Sequence, residues 1–203
     1  MKTKNKALLL ALCAVSLVTA SVLGTMAYLT DDKMVTNTFT VGSVAITMDE
    51  TDVDEAGKPI KGADPVQANT YKLVPGQEYT KDPTIHVDSK SEDCFLFVKV
   101  DNKIANIEAD GSKVADQMAA NGWTKVDGQT NVYVKMNGSA LQTVKGGEDV
   151  NVFETLTIAG TVDGDTLKNY EGETITVTAY AVQKAGFENE TPADIWTATF
   201  GKA

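Results

Sequence analysis

Apolar and polar residues alternate with a period of two along most of this chain, and clusters of turn residues interrupt the alternation. Period two is the mark of strands with one buried face. Phe39, Val41, Ile46 and Met48 outline a first extended segment, closed by an acidic, turn-rich loop from Asp49 to about Asn69. Thr84 to Asp88 puts Ile85 and Val87 on one face, and Ser89 to Asp93 is a polar turn. Cys94-Phe95-Leu96-Phe97-Val98-Lys99-Val100 is apolar on both faces in its first half, which predicts a strand in the middle of the fold. Val132 to Met136 and Ala140 to Val144 flank Asn137-Gly138-Ser139, a hairpin turn. Asn151 to Ile158 predicts one further strand, with Val152, Glu154, Leu156 and Ile158 on the parity opposite to Phe153. Thr174 to Gln183 is the longest regular run, its threonines facing one way and Ile175, Val177 and Ala179 the other.

Helical signals are few. Lys113 to Gly122 spaces Val114 and Met118 four apart, with Ser112 as the expected cap and Gly122 as the left-handed stop. Trp123 is expected to pack over that helix end. Thr191-Pro192 reads as an N-cap and first helical position, opening a short helix through Ile195 and Trp196. Pro75-Gly76 marks a tight turn. Seven or eight short strands with a helix in one connection predict an all-β fold, an antiparallel β-sandwich.

Composition narrows the function classes. The chain has 203 residues, 18 lysines without arginine, and 28 acids, for a net charge of −10. Nucleic acid is excluded as a partner, because phosphate binding needs a basic face and none appears. Of the two cysteines, Cys13 sits in an apolar N-terminal run and Cys94 opens the most apolar strand, where a buried thiol is expected. Leu12 before Cys13 argues against a lipid-modified cysteine, since those sites want a small residue there.

The N-terminus reads as an export signal, with Lys2, Lys4 and Lys6 ahead of an uncharged run from Ala7. Thr25 and Ala27 place small side chains before a cut that would make Tyr28 the new first residue. Cleavage after Ala20 is a second option. An uncleaved anchor is a third, since Ala7 to Thr30 is long enough to cross a bilayer; the membrane would then be touched only through the uncleaved signal peptide. All three N-terminal lysines and none of the acids precede Tyr28, so residues 28–203 carry −13.

Gly24-Thr25-Met26-Ala27-Tyr28-Leu29-Thr30-Asp31, followed by Asn37-Thr38-Phe39-Thr40-Val41-Gly42-Ser43-Val44, resembles the signal peptide and first strand of TasA/camelysin-like proteins. Leu73-Val74-Pro75-Gly76 with Lys81-Asp82 resembles that family's L-x-P-G turn, and Thr176 to Phe187 its late strand. The resemblance implies a jelly roll with one or two short inserted helices, exported by Gram-positive bacteria through a SipW-type signal peptidase. It also implies fibres of the biofilm matrix or cell surface, built by donor-strand complementation from copies of the chain, with an accessory matrix protein as a further possible partner. Residues 1–27 are then signal peptide, 28–37 the donor segment and 38–203 the jelly-roll domain.

Tyr28, Leu29, Thr30, Lys33, Met34 and Val35 are the residues expected to act in assembly. An exposed sheet edge can accept a strand from another molecule, and a head-to-tail contact that does not close gives a filament. The same segment can instead fold onto its own subunit or stay without order. A monomeric adhesin or binding module is a rival reading. Camelysin-type metallopeptidase activity is another, but His86 is the only histidine and no paired-histidine zinc motif can be built. Neither a nucleophile elbow nor a phosphate loop occurs, so no catalytic residues, metal or cofactor are expected. Asp52-Val53-Asp54-Glu55-Ala56-Gly57 begins like a calcium loop, yet Ala56 and Ala63 stand where ligands belong. Asp163-Gly164-Asp165 and Glu148-Asp149 read as turns.

Overall fold

A computed structural model describes residues 43–201. In chain order the first strands are β1 (Ile46–Asp49), β2 (Glu78–Thr80), β3 (Thr84–Val87), β4 (Cys94–Asn102) and β5 (Trp123–Lys125). They are followed by β6 (Val132–Asn137), β7 (Ala140–Leu141), β8 (Asp149–Asn151), β9 (Thr155–Thr157) and β10 (Ile175–Gln183). The helices are α1 (Val114–Ala120), α2 (Gly164–Lys168) and α3 (Pro192–Thr199). The described chain is mostly β, and its sheets are antiparallel. One sheet has the order β1-β3-β8 and another β10-β4-β6-β5, with β7 hairpinned onto β6, while β2 and β9 pair separately.

β4 explains its own apolar run. Leu96, Val98 and Val100 enter a cluster with Ile85 and Val87 of β3 and Val150 and Val152 at β8, so this core lies between the two larger sheets. Phe95 and Phe97 enter a second cluster beneath α3, against Ile195 and Trp196. A strand covered on both sides has no polar face to alternate with. Each such side chain contributes about 1.5–3 kcal/mol by leaving water. Thr191 caps α3 by accepting from Asp194 N at 3.2 Å, with Pro192 at the first helical position as predicted. A third cluster gathers Tyr79, Ile104, Ile107, Leu156 and Ile158. The Tyr79 hydroxyl donates to Lys72 O at 2.7 Å and accepts from Val74 N at 2.6 Å, which pins the chain entering the Pro75-Gly76 turn. Gly76 there takes a φ of 78°, as that turn requires.

Three expectations are corrected. Asn151 to Ile158 is not one strand: Val152 and Phe153 are both fully buried, the parity breaks there, and the chain passes from β8 to β9 in a different sheet. Asp163-Gly164-Asp165 is not a plain turn, because the Asp163 carboxylate accepts from Thr166 N at 2.7 Å and starts α2. Ser112 does not cap α1. Lys113 is the cap residue, and the Glu108 carboxylate accepts from Val114 N at 3.1 Å in place of a local hydroxyl. The stop at Gly122, with φ 80°, is as expected.

Candidate functional site

Hydrogen-bond parity shows which strand edges are left without a partner among the described residues. In an antiparallel pair, alternate residues send both N–H and C=O toward the same neighbour. Thr174 O accepts from Lys103 N and Asp93 O from Lys184 N, so the even-numbered residues of β10 bond to β4. The odd ones, Ile175, Val177, Ala179, Ala181 and Gln183, point their backbone groups the other way, where no described residue pairs with them. The same reasoning holds for β1. Ala45 O accepts from Asp88 N, leaving Val44, Ile46 and Met48 to face outward. Among the described residues that outer edge is taken at Glu50, by reciprocal bonds with Val66 of 2.8 and 2.9 Å.

Side chains on the same residues tell the same story. Val44, Ile46 and Met48 of the β1 segment and Ile175, Val177, Ala179 and Ala181 of β10 pack against the central core yet remain only partly buried among the described residues. Among the described residues, core and backbone are thus both left open along one seam beside these two edges. At one end of the seam Ser43 O accepts from Glu92 N, next to the Asp93–Lys184 bond that ends β10. At the other end a groove of about 1090 Å³ opens between Met48, Asp49, Tyr71 and Thr174 to Val177.

A buried ion pair supports the groove floor. Glu50, 5 % exposed, meets Lys81 Nζ at 2.8 Å and accepts from Asn69 Nδ2 at 2.9 Å. Tyr71 beside it has its phenol pushed well above the ordinary value, chiefly by burial and then by the Glu50 and Asp82 carboxylates. Asp82 in turn accepts from Thr51 N and Thr51 Oγ1 at 2.9 and 2.6 Å, fixing the chain just after β1.

His86 ties the outer face of the three-stranded sheet together. Its Nε2 lies 3.0 Å from Asp49 Oδ1 and its Nδ1 2.7 Å from Asp149 Oδ1, so one imidazole on β3 spans from β1 to β8. A neutral imidazole has one N–H and can donate to only one of these carboxylates; the imidazolium donates to both. The hydrogen bonds to Asp49 and then Asp149 raise the His86 pKa above its ordinary 6.5. A raised folded-state pKa gives stability that is complete below the unfolded value and is lost as pH climbs through the folded one. Urea midpoints of the wild type are therefore expected to fall as pH rises past the ordinary histidine value, a fall that His86→Gln should flatten. Because His86 is the only histidine, its proton resonance reports the titration directly, and Asp49→Asn should lower its midpoint.

Several residues singled out in the sequence have structural duties. Asp54 Oδ1 accepts from Ala56 N and Lys58 N at 3.0 and 2.9 Å, closing its own turn in the calcium-like loop. Cys94 is fully buried and its thiol is pushed up to about 11 by burial. Ala27, Tyr28, Leu29, Thr30, Lys33, Met34 and Val35 lie outside the described residues. Among the described residues no group of three acidic, histidine or cysteine side chains is arranged to hold a metal ion, and no helix is long and apolar enough to cross a membrane. The Glu50–Lys81 pair and the two open edges went unread in the sequence. Glu50 looked like one more acid in a solvated loop, and an edge exists only once strand order is known. Comparison with protein-family models, with curated proteins and with solved structures returned no match to this chain.

Proposed function

We propose that this chain is a secreted, non-enzymatic structural protein, a jelly-roll fibre subunit of an extracellular matrix or cell-surface layer. A SipW-type signal peptidase frees Tyr28, and the segment from Tyr28 to Val35 of one copy completes the seam of the next. The head-to-tail contact repeats without closing and yields a filament. An accessory matrix protein is a further partner in this reading. The observation that carries it is the seam itself, where backbone groups without a partner among the described residues and half-covered apolar side chains coincide. Exposed edges of this kind invite a strand from another chain. The overall acidity keeps free subunits apart until that contact forms.

Mature protein starting at Tyr28 is expected to form filaments visible by negative-stain electron microscopy. Deleting Tyr28 to Val35 should leave a folded monomer by sedimentation and circular dichroism. Filaments that persist after the deletion would rule out the donor role.

A further inference from the structure

Resting on the donor-strand reading, we infer that the neighbour's strand pairs with β10 rather than β1 and runs antiparallel to it. It enters at the Ile175 end, with Tyr28 leading toward Gln183. Two arguments select β10. Five of its residues offer both backbone groups outward in one unbroken run, whereas Val66 already takes the β1 edge at Glu50. The nine residues of β10 span about 30 Å, close to the ~27 Å of an eight-residue extended segment.

Direction follows from where the chain leaves the fold. β1 rises from Ser43, at the Gln183 end of the seam, to Asp49, at the groove end, so it runs antiparallel to β10. Ser43, the first described residue, therefore marks where the chain joins the fold, at the end opposite the groove. Residues 36–42 can reach at most about 25 Å, which bounds the gap that the donor can cross to the next subunit. In a stack of like-oriented subunits, the departing segment arrives at the neighbour's groove still pointing as β1 points. That is antiparallel to β10, the pairing used by every ladder among the described residues.

Thiol cross-linking of assembled filaments tests the direction. Thr176, exposed near the groove end, becomes cysteine in two double variants, Val35→Cys/Thr176→Cys and Leu29→Cys/Thr176→Cys. Cys94 is sealed in the core and stays silent toward a short bismaleimide. The Val35 pair is expected to give a ladder of covalent oligomers, several-fold stronger than the Leu29 pair. A ladder from the Leu29 pair instead would reverse the direction and overturn the inference. Filaments in which neither pair links would remove β10 as acceptor while leaving strand donation standing. Wild-type protein that makes no filaments under the same conditions would sink the donor-strand reading and this inference together.

Discussion

Ala179→Pro is expected to abolish filament growth and leave the subunit folded, whereas Thr178→Pro, one position away, is expected to unfold it. The difference comes from where each N–H points. Thr178 pairs with Lys99 on the bonded side of the β10–β4 ladder, and proline there deletes an internal bond and drives its ring toward β4. The lost ladder bond and the clash are set against the about 5–15 kcal/mol that holds a typical domain together. Ala179 directs its N–H to the outer edge, where proline is tolerated. The same ring then removes one donor and blocks close approach by an incoming strand. Thermal melts by circular dichroism and electron microscopy of the two variants separate the outcomes. If Ala179→Pro forms filaments as readily as the wild type, the β10 edge is not where subunits join.

Lys81→Met should be among the most damaging single changes, costing about 3–5 kcal/mol in urea unfolding at neutral pH. Glu50 keeps its place beneath the groove with only Asn69 as a polar partner, and an uncompensated buried carboxylate is expensive. Combining Lys81→Met with Glu50→Gln should recover most of the loss, because the amide carries no charge and can still accept from Asn69. Single and double variants of equal stability would show that the pair is well solvated and carries no such cost. A loss of filaments in Lys81→Met protein that is still folded would place the Glu50 corner in the docking site as well.

Much of the fold was legible because burial is one-sided in most strands. Ile85 and Val87 announced β3, the threonines of β10 marked its solvent face as far as Thr178, and Asn137-Gly138 set the β6–β7 turn. β4 was readable for the opposite reason, since covering from both sides leaves seven residues with little alternation. The failures are equally physical. Val152 and Phe153 are adjacent and both buried, which period two cannot accommodate, and that clash marked the crossing between sheets. Glu108 reaches α1 from an adjoining loop, so no local motif could foretell the cap. The seam depends on which strands end up outermost, and that follows from pairings between distant parts of the chain.

Those distant pairings also set a clock. β4, the central strand, cannot complete its ladder until β10 arrives, and β10 begins only at Ile175 of 203 residues. Contacts so far apart in sequence form slowly, on the millisecond-to-second scale typical of β-rich topologies. A chain threaded from its N-terminus through a narrow translocation pore would therefore lack its central ladder until β10 had emerged on the far side.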